Sequence, residues 1–332
     1  MKKHFYLLII LGGFLTIDAR ACDICGCFMG ITPYDNQSSM GVLHRYRSFN
    51  GYQSLNQKKH FFPEGGGLFT GGADKEHGGS HSHNGNPTDF EVYRVTEFRG
   101  KYFIHQRIEL NAFVPFVQNT TQYNQNRKTL AGLGDINLFA GIHLLRQIEV
   151  ASVQQRLIVG GGLKLPTGHY YRTNNEGIRY PLLYQTGTGS VDYFGYVNYI
   201  AGYKKFGLSL NSSYKINGQN YYHESIANSS AHFANLFYRY HLNDNWNINP
   251  SLQFFYEYTK GEKFKGELTG EHKMNNALLG PGLDIYYKNA GINLAFQLPL
   301  FQEDIGHPAS AGRLVLGLNY NFNQTKYLFK SK

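Results

Sequence analysis

From about residue 41 to residue 321 the chain alternates apolar and polar side chains with a period of two. Residues 104–116 show the pattern well: Ile104, Ile108, Leu110, Ala112, Val114 and Phe116 share one face, and His105, Arg107, Glu109 and Asn111 the other. A helical period of 3.6 would scatter those charges round the axis, so strands are expected. The same alternation sets Ile136–Leu144 against Asp135, Asn137 and His143, and Leu157–Leu165 against Arg156 and Lys164. It sets Val191–Ala201 against Asp192 and Asn198, and Phe206–Leu210 against Ser209 and Asn211. It continues with Leu236–Leu242 against Asn235, Arg239 and His241, and Trp246–Tyr256 against Asn247, Asn249, Gln253 and Glu257. Ile292–Leu298 and Leu314–Tyr320 complete the strong cases, and 41–49, 89–99 and 277–288 are weaker ones. About twelve strands are predicted, each near the length that a transmembrane β-strand needs.

The connections fall into two kinds. Tight turns are expected at Gly100-Lys101, Lys204-Lys205, Asn243-Asp244-Asn245 and Asn289-Ala290-Gly291, with a modest connection at 146–155. Longer polar loops are expected at 50–88, 117–131, 167–187, 217–230, 259–273 and 302–311. Short and long connections alternate, as in outer-membrane barrels with short periplasmic turns and long external loops. The expectation is an all-β chain forming a transmembrane antiparallel β-barrel in the outer membrane, both termini periplasmic. A soluble periplasmic ligand-binding β-barrel alternates too, but turns its apolar face inward. Two features favour the membrane. Tyr and Phe crowd strand ends, as in Tyr193–Tyr203 and Phe254–Tyr258, which suits interfacial girdles. Charges sit in mid-strand, where facing lipid would cost about 2–4 kcal/mol for Arg or Lys.

The N-terminus reads as a cleaved signal peptide spanning 1–21. Lys2 and Lys3 precede the apolar run Phe5–Ile17, and Ala19 and Ala21 stand before Cys22. The predicted organisation continues with a Cys-containing segment or plug at 22–39, the barrel at 40–322 and a periplasmic tail at 323–332. Export permits disulfides. All 3 cysteines lie in one Cys-x2-Cys-x-Cys run, Cys22, Cys25 and Cys27. Three thiolates suit copper(I) or zinc; a disulfide, or a lipid on Cys22, are alternatives. His77, His81 and His83 in a Gly-rich stretch form a second candidate metal segment. A metal-binding outer-membrane protein is therefore an alternative function, although no cofactor is certain. The net charge of +9 suits outer-membrane lipids and lipopolysaccharide. Barrel-assembly machinery is an expected partner, and no nucleic-acid module is present.

The inward row His105, Arg107, Glu109, Asp135, Lys164, Asp192, Arg239, His241 and Glu257 is the candidate lumen. It reads either as an interior salt-bridge network or as solute-steering charges. The stretch 221–235 offers His223, Ser225, Ser229, Ser230 and His232, but these residues sit in no hydrolase motif, so the chain is read as not an enzyme.

Three motifs occur in order: "GLGDINLFAGIHLL" (132–145), "GGGLKLPTGHY" (160–170) and "TGTGSVDYFGYVNY" (186–199). They resemble the outer-membrane family named after a meta-cleavage pathway of phenol degradation. The matching positions are Gly132, Gly134 and Asp135; Leu165, Pro166, Thr167 and Gly168; and Gly187, Gly189, Ser190 and Asp192. The resemblance implies a β-barrel that passes small, often hydrophobic, molecules, by analogy with the outer-membrane fatty-acid transporter. The stretches "ACDICGC" (21–27) and "HRYRSF" (44–49) are similar to a Bacteroidota-type subgroup. The glycines and Pro166 read first as structural, relieving crowding or ending a strand. The function expected is a channel or transporter for passive passage of a small solute, hydrophobic or aromatic. The metal reading predicts that a Cys22/Cys25/Cys27→Ser variant loses copper or zinc relative to the unaltered mature protein; equal metal content in both removes the cysteines from that reading.

Overall fold

A computed structural model describes residues 37–50, 89–123, 125–147, 153–269, 273–302 and 309–322. The strands are β1 (Ser38–Asn50), β2 (Phe90–His105), β3 (Ile108–Tyr123), β4 (Asn126–Leu133, resuming as Ile136–Gln147), β5 (Val153–Leu165) and β6 (Asp192–Tyr203). They continue as β7 (Phe206–Ile216), β8 (Ser229–Tyr238, resuming as Tyr240–Asn243), β9 (Trp246–Thr259), β10 (Met274–Tyr287), β11 (Ala290–Gln302) and β12 (Ala309–Phe322). Each pairs antiparallel with its neighbours in the chain, and β12 pairs with β1 from Ser38↔Phe322 to Asn50↔Ala309. The described residues thus close a barrel of twelve strands, two of them interrupted. Closure leaves the wall without an edge, which a bilayer requires.

The two faces of the wall settle its solvent. Outward residues are large, apolar and uncovered: Leu252 is 51% exposed, Ile142 50% and Leu318 61%. Inward residues are polar or charged and buried: Glu97 is 1% exposed, and Asp192 and Glu257 are 0%. A soluble barrel would reverse this arrangement, so the soluble alternative is not favoured. Exposed aromatic residues, Tyr102, Tyr203, Phe206, Tyr240, Trp246, Tyr287 and Tyr320, ring the end that carries the short turns. Such a girdle matches the headgroup level of a bilayer.

The short-turn end carries Gln106-Arg107, Lys204-Lys205, Asp244-Asn245 and Lys288-Asn289. Ser38 and Phe322 lie at the same end, paired with each other. Two predicted connections are corrected. The first hairpin turns at Gln106-Arg107 rather than Gly100-Lys101, because Gly100 pairs with both Met40 and Ala112 inside the wall. The loop expected at 117–131 is instead strand: β3 runs to Tyr123 and pairs with Asn126–Leu133. At the opposite end, Glu224–Ile226, Glu262–Phe264 and Glu267–Leu268 form a small sheet that ties two long loops together. The predicted signal peptide, the cysteine segment up to residue 36, the histidine-rich stretch and the predicted tail at 323–332 lie outside the described residues, and Ser38 and Ser39, expected in the cysteine segment, open β1.

The wall predicts that Leu252→Arg, placed in mid-strand facing lipid, destabilises the folded protein by about 2–4 kcal/mol, read as a lower urea midpoint of the heat-modifiable folded band in lipid vesicles.

Candidate functional site

The interruption in β4 falls at Gly134-Asp135. Before it, Gly132 and Leu130 pair with the inward Val117 and Asn119; after it, Asn137 pairs with the inward Phe113. The inward parity therefore changes from even to odd residues, and one extra residue has been inserted, as in a β-bulge. The Gly134 N–H donates to the Pro115 carbonyl at 2.8 Å. The bulge brings the Asp135 carboxylate to the barrel interior, where three chain segments converge on it. Gly168 N–H donates to Oδ1 at 2.9 Å, and Thr188 N–H and its hydroxyl donate to Oδ2 at 2.9 and 3.0 Å. Lys164 Nζ lies 2.8 Å from Asp135 Oδ2 and 2.8 Å from Asp192 Oδ2, with Lys215 Nζ 3.4 Å from the latter. Thr167 stitches the gap in the strand: its hydroxyl donates to Gly134 O at 2.8 Å and accepts from Ile136 N at 3.0 Å. Gly187 must be glycine here, since a Cβ would stand 2.6 Å from Asp135 Oδ1 and from the Gly168 backbone.

Next to this knot the lumen is crossed by ion pairs. Glu97 on β2 bridges Arg45 on β1 and Arg99; Arg99 Nε donates to its Oε2 at 2.8 Å. Arg47 on β1 pairs with Glu257 on β9 across the barrel. Arg313 donates to Gln297 Oε1 at 3.1 Å and covers the Phe255 ring at 4.2 Å. All but Arg99 of these ionised groups are under 10% exposed. Buried ions are tolerated only when paired and hydrogen-bonded; here Arg45 and Arg99 face Glu97, and Arg47 faces Glu257.

Above the belt, the loop between β5 and β6 dips inward. Leu182 and Leu183 are buried in a short 3-10 turn, Leu182–Tyr184. Asn119 Nδ2 donates to the Tyr184 and Gln185 carbonyls, both at 3.2 Å. The buried Glu91 accepts from the hydroxyls of Tyr93 and Tyr184, both at 2.8 Å, and from Tyr123. Burial and the Glu91 carboxylate push the Tyr184 phenol far above its ordinary pKa, so it stays a donor. This turn, the plug, enters the lumen. One chamber of about 60 Å³ lies between plug and belt, lined by Leu182, Leu183, Ile226, Glu97 and Lys215. A second, of about 120 Å³, lies nearer the short turns, lined by Arg99, Lys101, Glu109, Phe113, Arg156 and Asn198. Between them, packed aromatic rings line the wall: Phe139 meets Phe113 at 4.9 Å, Phe194 at 5.6 Å and Tyr196 at 5.7 Å. The glycines of β5 make room for them, since a Cβ at Gly160 would stand 2.5 Å from the Tyr196 ring.

The structure brings Glu109, Asp135, Lys164, Asp192 and Glu257 into the buried interior. It does not bring the other four there. Arg107 is exposed in the first turn, and His105 Nδ1 accepts from its backbone N–H at 3.2 Å. Arg239 interrupts β8 and donates to the Lys204 carbonyl at 2.6 Å, and His241 is exposed opposite Asn247. The inward parity of Arg239 and His241 is as expected, but they stand at the short-turn rim rather than in the lumen. Cys22, Cys25, Cys27, His77, His81 and His83 lie outside the described residues. Arg45, Arg47, Glu97, Arg99 and Lys215 were missed as site residues. The signal that could have found the first four is the odd-numbered charge row of 41–49 and 89–99, and Lys215 continues the odd-numbered polar row of Ser209 and Asn211. It was weak because the outward row there is partly polar, His44 bonding Thr96 at 2.9 Å.

Residues 73–300 match the family described as the MetA-pathway of phenol degradation. The chain belongs to that family. Among curated proteins none matches the sequence. Of solved structures, an outer membrane channel from Pseudomonas putida F1 is 13% identical, with 89% of this chain and 100% of that one covered and a TM-score of 0.61. The beta domain of the Bordetella autotransporter BrkA is 8% identical over 87% of this chain and 100% of that one, TM-score 0.45. The monoaromatic hydrocarbon channel CymD is 7% identical over 88% and 90%, TM-score 0.35. The channel from Pseudomonas putida shares the fold. In this member of the phenol-degradation family, the Gly-x-Gly-Asp, Leu-Pro-Thr-Gly and Gly-Thr-Gly-Ser-x-Asp motifs meet in one knot at Asp135. Lys164 bridges that knot's two carboxylates. Lys164→Met leaves both buried without it, and a loss of about 3–5 kcal/mol is expected, measured by urea unfolding in detergent or vesicles.

Proposed function

We propose that this protein is a passive outer-membrane channel for a small hydrophobic or aromatic solute. In this reading the short turns and both termini face the periplasm, and the long loops face the cell exterior. The observation that carries it is the wall itself: a closed barrel, apolar outside and polar within, whose interior holds two chambers in line. Membership in a family described by phenol degradation, and the aromatic lining of Phe113, Phe139, Phe194 and Tyr196, support a ring-bearing solute. The solute would pass the Leu182–Tyr184 plug, then the belt of paired charges, then the aromatic wall. In the belt Glu97 and Glu257 are each paired with arginine, which lowers the cost of crossing it for a molecule without charge. In this reading flow follows the solute's gradient. The net charge of +9 suits the phosphates of lipopolysaccharide.

Single-channel recording in planar bilayers tests this reading. A small conductance is expected from the unaltered protein, and a several-fold rise from Leu182→Ser/Leu183→Ser, which weakens the plug. No current from either protein, together with no solute uptake into liposomes, overturns the channel.

A further inference from the structure

The outer face of β2 changes character toward the long-loop end. Tyr102 and Phe98 face outward there, and Phe116 faces outward on the adjoining β3, at 43%, 57% and 50% exposed. The next outward positions on β2 are Thr96 and Arg94. Arg94 pairs with Tyr46 on β1 and with Gln118 on β3, and its guanidinium stands 5.4 Å from the centre of the Tyr46 ring. It is half-buried and belongs to the lipid side of the wall. A transmembrane strand needs about 9–11 residues. Counted along β2 from Tyr102, in the girdle of the short-turn end, that length ends between Arg94 and Val92. Arg94 therefore stands where hydrocarbon gives way to headgroups on the far side of the bilayer. Across the hydrocarbon the wall keeps its charges inside; at this edge one cation is outside. The outward positions round it are Tyr46, Gln118, Val92 and Thr96, none of them acidic. Among the described residues no carboxylate pairs with it, whereas the inward Arg45, Arg47, Arg99 and Lys164 each face one. On the diagonal, His44 Nδ1 lies 2.9 Å from Thr96 Oγ1, so the polar patch continues one row toward the bilayer centre.

We infer that Arg94 holds a phosphate of the lipid anchor of lipopolysaccharide against the outside of the barrel. A guanidinium drawn partly out of water needs an anion, and at this depth the headgroup phosphate is the anion that the membrane supplies. Arginine grips phosphate through two parallel N–H bonds, which a lysine cannot copy. The Tyr46 ring beneath the guanidinium favours the cation over its face and limits its orientations. Gln118 adds an amide donor beside it. Below, the exposed rings of Phe98 and Phe116 offer an apolar surface to the acyl chains. The two halves of the lipid are thus met at two neighbouring levels of the wall. The inference deepens the proposed function and rests on it for which end faces the cell exterior, since the glycolipid belongs to the outer leaflet.

Native mass spectrometry of the folded protein, released from detergent micelles, tests the site. The micelles carry equal amounts of diphosphorylated lipid anchor, the same anchor stripped of phosphate, and dioleoyl phosphatidic acid, whose phosphate sits on an ordinary glycerolipid. The phosphorylated anchor is expected to be retained at least fivefold more than either of the others. Arg94→Met should lower that retention fivefold or more. Lys205→Met removes an exposed cation in a short turn at the opposite end and should leave it unchanged. Arg94→Gln takes the place of the first variant if that one shows no heat-modifiable band. Equal retention by the unaltered protein and a folded Arg94 variant overturns the site, as does equal retention of the stripped anchor. An equal loss in Lys205→Met overturns it too, because net charge alone then explains the binding. Phosphatidic acid held as well as the anchor overturns the assignment to the glycolipid. Lipid retention needs no conduction, so the two readings separate. A protein that holds the anchor but passes no current keeps the site and loses the channel. One that conducts without preferring the anchor keeps the channel and loses the site.

Discussion

The structure hangs on a buried carboxylate. Asp135 is 8% exposed and accepts from two backbone amides, a hydroxyl and an ammonium group. A carboxylate removed from water is costly, and this set of partners is what makes it tenable. Each partner comes from a different place in the chain: Lys164 from the end of β5, Gly168 just after it, Thr188 just before β6. Satisfying one charge therefore fixes where the long β5–β6 loop starts and where it ends. With both ends anchored, its middle has to pass over the lumen, and Leu182–Tyr184 becomes the plug.

The same economy runs through the interior. The outer face has to be apolar for lipid, so charge can only face inward. Once inside a barrel this narrow, charges are buried and have to find opposites. The belt of Arg45, Glu97, Arg99, Arg47 and Glu257 is the outcome. Of the inward row read from the sequence, Asp135, Lys164, Asp192 and Glu257 stand in ion pairs.

Much of this was legible in the residues. Strong alternation marked nine strands, and the outward face of each was assigned correctly. The failures have physical reasons. The turn at Gln106-Arg107 went unseen because apolar residues stay at even positions on both sides of it, from Ile104 to Ile108. Gly100 looked like a turn residue, but in the wall it merely leaves open space. Residues 117–131 looked like a loop because they are polar on both faces; there the hairpin of β3 and β4 runs past the end of β5, where β4 pairs only with β3. Arg239 and His241 were placed in the lumen because parity reports direction and says nothing about depth along the barrel.

The sequence by itself determined the class of the fold, the side of each strand that meets lipid, and the family motifs. Period two is a local property, read from neighbours along one strand, and lipid and lumen select opposite faces of it. Only the tertiary structure decided which charges pair and which chambers exist. Arg47 and Glu257 stand far apart in sequence and meet because twelve strands close. The three motifs meet at Asp135 because a bulge turns one carboxylate inward where two loop ends return. Strand tilt, register and closure set those meetings, and none of the three is written in the pattern of any single strand.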